Sequence, residues 1–208
     1  MKWTVAKNIV PKKELEYLRD WCLQIKDRNP ADGSPKPNGS GVYWPGLDMA
    51  SQFEFATEEE NSRLYSVYTS TWMYDLISRW LPEPYLFNDQ VVVKMPGEHF
   101  DFEAHQDGQY GPDVEGLVSY NCTLVLDDFT EENGPIEVLD DKLGWTTVLP
   151  NAGDVLIMRG DCWHRSTHNK SNKPRRVYIC VYTNKPIGED FQKGFYHKKF
   201  YYKPYEVI

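Results

Sequence analysis

Apolar residues recur at two different periods along this chain, and the change falls near residue 84. In the first part, Leu15, Leu18, Cys22 and Ile25 stand three and four apart, the spacing of one helix face. That predicts a helix from Pro11 to Lys26, with the proline at its first turn. Leu64, Tyr68, Trp72 and Leu76 make a second such face. Thr57 and Glu60 offer a capping box at its start, and Pro82 stops it. Between the helices, Asn29 to Gly46 is rich in Pro, Gly, Asn and Ser, and reads as a long loop of the kind that closes over a site.

From Tyr85 the pattern shortens to β-rich runs separated by turn residues. Strands are predicted at Asp89–Met95, Phe100–Gln106, Leu117–Leu126, Ile136–Leu139, Trp145–Val148, Asp154–Met158, Cys162–Ser166 and Val177–Thr183. Pro96-Gly97, Asn133-Gly134-Pro135, Pro150-Asn151 and Lys173-Pro174 punctuate them. Such spacing predicts a sandwich or barrel. Strands do not alternate with helices here and no glycine-rich phosphate loop is present, so a dinucleotide-binding fold is excluded. Helices first and strands later give a mainly β jelly roll with N-terminal helices packed on one sheet. The 208 residues fit a single domain: a helical and loop part over 1–84, a strand core over 85–190, and an aromatic tail over 191–208 that straps a sheet face.

Composition narrows the partners. The net charge of −8 argues against nucleic acid, which selects basic surfaces. No run of apolar residues is long enough to span a membrane, and the N-terminus lacks the apolar core of a signal peptide. Cys22, Cys122, Cys162 and Cys180 are far apart and read as buried free thiols of a cytoplasmic protein.

The chemistry gathers in two segments. In His99-Phe-Asp-Phe-Glu-Ala-His-Gln-Asp107, alternation along a strand puts His99, Asp101, Glu103, His105 and Asp107 on one face. Five polar groups on one face are costly to bury unless they hold a cation. Downstream, His164 and Ser166 share a face, and Arg175 falls on the apolar face of Val177, Ile179 and Val181 while Arg176 takes the other. An inward arginine requires an anion, and a carboxylate matches its planar fork. Two imidazoles and one carboxylate on one face of an octahedral metal leave three positions open, the pattern of non-haem Fe(II) oxygenases. Those positions suit a chelating keto acid and dioxygen, with the far carboxylate of the keto acid reaching Arg175 and Ser166.

In these pieces the chain resembles the phytanoyl-CoA dioxygenase family of Fe(II)/2-oxoglutarate oxygenases. The matching residues are His105-Gln-Asp107 with Tyr110 after it, Glu132-Asn-Gly-Pro135, and the block from Gly153-Asp154 through His164, Ser166 and Asn169 to Arg175. The eleven-residue step from His164 to Arg175 fits the family's ligand-to-arginine spacing. The resemblance covers Val91 to Thr183 and implies a double-stranded β-helix, with Fe(II) on His105, Asp107 and His164 and 2-oxoglutarate on Arg175. Where the family usually has Pro-Gly-Ser-His, this chain has Val138-Leu-Asp-Asp141. Lys94, Asn121 and Thr123 are further residues for the keto-acid pocket.

Rivals exist for the ligands: His99 and Asp101 form a second His-x-Asp pair, and His168 competes with His164. The expected activity is hydroxylation of a small polar metabolite or amino acid, with 2-oxoglutarate decarboxylated to succinate. Related halide-transferring oxygenases replace the metal-binding carboxylate, and Asp107 retains it. The alternatives are a peptidyl or nucleobase oxygenase on the same core, or a cupin-like metal-binding protein without oxygen chemistry. Arg175 separates the last of these, since a plain metal module needs no buried carboxylate anchor.

Overall fold

Alternating inward and outward side chains decide how the strands stack. The computed structural model describes residues 2–28, 39–43, 57–110 and 114–185. Its elements, in chain order, are β1 (Trp3–Ala6), α1 (Lys12–Arg28), β2 (Gly41–Tyr43), α2 (Glu58–Tyr68), α3 (Thr71–Ile77), β3 (Tyr85–Lys94), β4 (Phe102–His105), β5 (Ser119–Val125), β6 (Ile136–Asp140), β7 (Gly144–Val148), β8 (Val155–Arg159), β9 (His164–Ser166) and β10 (Arg175–Thr183). They form a six-stranded sheet ordered β1-β8-β5-β10-β3-β2 and a four-stranded sheet ordered β4-β9-β6-β7. All the pairings are antiparallel. This is the jelly-roll, double-stranded β-helix architecture, with helices on one sheet.

One set of side chains on the larger sheet faces the helices. Tyr120, Cys122, Leu124, Val155, Ile157, Tyr178, Cys180 and Tyr182 pack there against Leu18, Trp21, Cys22 and Ile25 of α1. The alternate set, Val125, Leu156, Met158, Val177, Ile179 and Val181, packs between the sheets against Ile136, Val138 and Val148. Arg176 lies on the helix side. It grips Asp127 through two nitrogens at 2.7 and 2.6 Å and donates to the Arg19 carbonyl of α1 at 3.0 Å. Arg175 lies on the inner side, as alternation predicts.

Several expectations need correction. The second predicted helix is two: α2 ends at Tyr68, and Ser70 caps α3 by accepting from the Met73 amide at 3.3 Å. The hydroxyls of Thr69 and Ser70 accompany the break by donating to carbonyls of the preceding turn, a competition typical of these residues. The capping box at Thr57 and Glu60 is present. The N-terminal part also supplies two strands. β1 pairs with β8 at one sheet edge, and β2 pairs with β3 at the other. β2 therefore interrupts the loop expected over Asn29–Gly46; residues 29–38 and 44–46 of that segment and the tail 191–208 lie outside the described residues. All eight predicted strands from residue 85 onward are formed, with shifted ends.

Candidate metal and anion site

The polar face expected over His99–Asp107 is not continuous. The β4–β9 ladder carries a register irregularity between Phe102 and His105, and the chain turns into one 3-10 turn at Asp107. The irregularity and the turn divide the residues into two groups: His105, Asp107 and His164 in one, and His99, Asp101 and His168 in the other.

In the first group β4 and β9 set His105 directly opposite His164. Asp107 Oδ1 lies 3.6 Å from His105 Nε2 and 3.5 Å from His164 Nε2. A metal with bonds of about 2.1 Å separates its ligand atoms by roughly 3.0–3.4 Å, so small side-chain adjustments suffice. The tautomers suit a metal as well. His105 Nδ1 sits 2.7 Å from the Glu103 carbonyl and His164 Nδ1 sits 3.1 Å from the Cys162 carbonyl. A proton held there leaves each Nε2 lone pair facing Asp107. Asn121 Nδ2 donates to Asp107 Oδ2 at 2.8 Å, which turns Oδ1 toward the imidazoles, and Thr123 Oγ1 donates to Asn121 Oδ1 at 2.7 Å. Asn121 and Thr123 are on the inner face, but their side chains form this relay toward Asp107.

Burial alone would raise the Asp107 pKa, yet the His105 hydrogen bond and the His164 ring hold it below the ordinary carboxylate value. Burial would lower His105, but hydrogen bonds to Asp107 and to the Glu103 carbonyl raise it. His105 and Asp107 thus stabilise each other's charged forms.

The 3-10 turn that aims Asp107 is fixed by two glycines. The Gly108 amide donates to the Gly160 carbonyl at 2.8 Å. A Cβ on Gly160 would meet Ser119 Oγ at 2.1 Å, so the β8–β9 turn can approach only without a side chain. Beside the turn, a pocket of about 600 Å³ is lined by Gln106, Leu117, Ser119, Arg159 and Asp161 among others. Its size suits small ligands. Sequence reasoning missed these lining residues, because they come from loop and strand ends whose pattern carries no period.

The inner face holds two buried basic side chains. Lys94 and Arg175 are partners across β3 and β10, with relative exposures of 0% and 1%. Lys94 Nζ donates to Ser166 Oγ at 2.8 Å and to the carbonyls of Ser166 and Thr167. Arg175 Nη2 donates to the Gly134 carbonyl at 2.8 Å, its guanidinium carbon lies 4.8 Å over the Phe129 ring, and its Nε is buried without a partner. Among the described residues no carboxylate pairs with either. Burial, then the Arg175 charge, pull the Lys94 ammonium down to about 6 while Asp101 acts the other way. Burial brings Arg175 down to about 10, with Asp127 opposing. Gly134 has φ of 71° and a Cβ there would lie 2.3 Å from the Thr167 carbonyl, which explains the glycine of Asn133-Gly134-Pro135. Val138-Leu-Asp-Asp141 runs from β6 into a tight hairpin in which Asp140 accepts from the Lys142 and Leu143 amides.

Known proteins share part of this sequence and its fold. Residues 138–177 match the model of the phytanoyl-CoA dioxygenase (PhyH) family. A curated relative, dioxygenase andF of Emericella variicolor, is 26% identical over 133 residues, which is 53% of this chain and 46% of that protein. The chain therefore spans about half the length of the curated relative it matches. Among solved structures, the non-heme alpha ketoglutarate dependent epimerase SnoN from nogalamycin biosynthesis superposes with a TM-score of 0.71 at 15% identity, over 89% of this chain and 78% of SnoN. The carbocyclase SnoK of the same biosynthesis gives 0.71 at 14%, over 89% and 81%. EvdO2 from Micromonospora carbonacea var. aurantiaca, complexed with 2-oxoglutarate, gives 0.64 at 14%, over 89% and 87%. The matched stretch contains both His164 and Arg175, and the fold around it is shared with these enzymes. The chain is thus similar, over residues 138–177, to the phytanoyl-CoA dioxygenase family.

Proposed function

We propose that this protein is an Fe(II)- and 2-oxoglutarate-dependent dioxygenase that hydroxylates a small polar metabolite or amino acid. The observation that carries the reading is the Lys94–Arg175 pair. Two adjacent buried basic side chains without a carboxylate are expensive to charge unless an anion joins them, and Lys94 contacts Ser166, two residues along β9 from His164 of a two-histidine, one-carboxylate cluster. A dicarboxylate whose other end chelates a metal answers both features. A cupin-like metal module without a keto acid leaves the two buried basic side chains unexplained.

In this reading His105, Asp107 and His164 hold the iron through Nε2, Oδ1 and Nε2, with Glu103 and Cys162 carbonyls fixing the imidazoles and Asn121 fixing the carboxylate. Arg175 and Lys94 receive the far carboxylate of 2-oxoglutarate, Ser166 adds a hydroxyl, and Thr123 and Asn121 border the acid. With dioxygen, iron and keto acid together supply oxidation of an unactivated C–H bond while the keto acid becomes succinate. The pocket beside the Asp107 turn receives the substrate. Gln106, Ser119 and the Arg159–Asp161 ion pair favour polar groups, and Leu117 and Val118 cover apolar ones. Residues 1–208 act as one unit, in which α1 backs the larger sheet. No helix among the described residues is long and apolar enough to cross a membrane, and Cys22, Cys122, Cys162 and Cys180 are buried free thiols, which supports a reducing cytoplasm.

The test is Fe(II)-dependent succinate release from 2-oxoglutarate against a panel of amino acids, peptides and nucleosides. The reading expects stimulation by a free amino acid or similar metabolite, and a product heavier by one oxygen atom in chloride-containing buffer. Because structures of this fold include an epimerase and a carbocyclase, product mass is the deciding readout. Succinate release with an isomeric, desaturated or chlorinated product refutes hydroxylation. Stimulation confined to peptides or nucleosides moves the substrate to that class.

A further inference from the structure

The chain contains two His-x-Asp pairs six residues apart, and the fold gives each its own third imidazole. His99 and Asp101 come from the loop between β3 and β4, and His168 from the turn after β9. The antiparallel ladder that sets His105 against His164 and Phe102 against Ser166 brings the chain entering β4 alongside the chain leaving β9. One ligand atom each from His99, Asp101 and His168 lies within 4.8 Å of the other two, as in the inner triad. His168 Nδ1 is 3.0 Å from Asp101 Oδ1, and the two imidazole centroids are 4.3 Å apart at 47°.

These side chains issue from a braced frame. The Gly97 amide donates to the Asn169 carbonyl at 2.8 Å, and the buried Asn169 amide donates to the carbonyls of Lys94 and Lys173 at 2.9 and 2.7 Å. The His168 amide donates to Asp101 Oδ1. An Asp101–His168 ion pair alone would give no reason for His99 to converge on the same point. Two imidazoles and a carboxylate are the donors that zinc and other late first-row divalent ions select. His99 and Asp101 are exposed and His168 is half-buried, so the remaining coordination positions open to water and the side chains are free to close on about 2.0–2.2 Å bonds. Ser166, held by Lys94, separates this group from His105–Asp107–His164 along β9.

We propose that His99, Asp101 and His168 form a second, surface metal site that takes Zn(II) and clips the β3–β4 loop to the β9–β10 turn. It is independent of the inner triad's chemistry. The test is calorimetric titration of chelator-treated full-length protein with Zn(II), with circular dichroism to verify the fold of each variant. Wild type takes two equivalents. His99→Ala combined with His168→Ala takes one. His164→Ala, or Asp107→Asn should the buried histidine be needed for folding, also takes one, at the surface site. Wild type taking a single equivalent that survives in His99→Ala/His168→Ala and is lost in His164→Ala overturns the proposal and leaves the inner triad standing. Two equivalents retained in His99→Ala/His168→Ala overturn it as well. A single wild-type equivalent lost only in His99→Ala/His168→Ala supports the surface site and removes the inner one.

Discussion

Lys94 and Arg175 face each other across β3 and β10 as Cα partners, both buried, with no carboxylate among the described residues paired to either. If this pair anchors 2-oxoglutarate, Arg175→Lys keeps the charge and loses the planar fork. A hydrogen bond to a charged group contributes about 1.5–3 kcal/mol, so the 2-oxoglutarate dissociation constant rises roughly 10- to 150-fold while metal affinity stays the same. An unchanged constant removes Arg175 from the anchor.

The lowered Lys94 pKa couples keto-acid binding to protons. Above its folded value of about 6 the amine is neutral in the free protein, and a bound carboxylate favours the ammonium. Binding then takes up a proton, so affinity falls as pH rises above about 6, by up to roughly tenfold per pH unit. Calorimetry in two buffers of different ionisation enthalpy measures the uptake. Lys94→Met removes it, and the same proton uptake in that variant contradicts the assignment.

Gly134 holds the Arg175 guanidinium with its carbonyl while its own backbone is left-handed. Gly134→Ala puts a Cβ 2.3 Å from the Thr167 carbonyl in a conformation alanine resists. Strain of this kind costs about 1–3 kcal/mol, and the shift loosens Arg175, so both melting temperature and 2-oxoglutarate affinity fall. A variant that melts lower with affinity intact would make the glycine a purely structural residue.

Asp89 is fully buried on the helix side of the larger sheet and accepts the Tyr178 hydroxyl at 2.7 Å, with its other oxygen unpartnered. Burial lifts its pKa from 3.8 to about 7, against the Tyr178 hydrogen bond. A folded-state value above the unfolded one means this stabilisation is complete below about pH 4 and is lost as pH rises through about 7. Asp89→Asn keeps an acceptor for Tyr178 and no longer titrates. Its unfolding free energy, followed between about pH 5 and about pH 8, should decline less than that of wild type. Parallel profiles would contradict the burial argument.

Much of the site was readable because it obeys strand alternation. Arg175 and Arg176 divide between the two faces, and His164 and Ser166 share one, because β9 and β10 are regular. The His99–Asp107 face was misread because alternation assumes an unbroken strand, and the irregularity at Phe102–His105 with the turn at Asp107 divides it. β1 and β2 escaped because four and three residues carry too little pattern to distinguish from loop. The break at Thr69 and Ser70 depends on side-chain hydrogen bonds to the backbone, which apolar periodicity does not register. The relay from Thr123 through Asn121 reaches Asp107, 14 residues upstream of Asn121, across a turn that carries no period, and only the folded β5 brings it to the site.

In the proposed function, His105, Asp107 and His164 present iron to a keto acid anchored by Arg175. Anaerobic titration of the Fe(II)-loaded protein with 2-oxoglutarate tests it most directly, through the visible charge-transfer absorption of a keto acid chelated to ferrous iron. This band is expected to grow to saturation in wild type. It is absent in His105→Ala, Asp107→Ala and His164→Ala, persists in His99→Ala, and saturates only at higher 2-oxoglutarate in Arg175→Lys. No band in folded, iron-loaded wild type, or a band lost in His99→Ala and kept in His105→Ala, would contradict it.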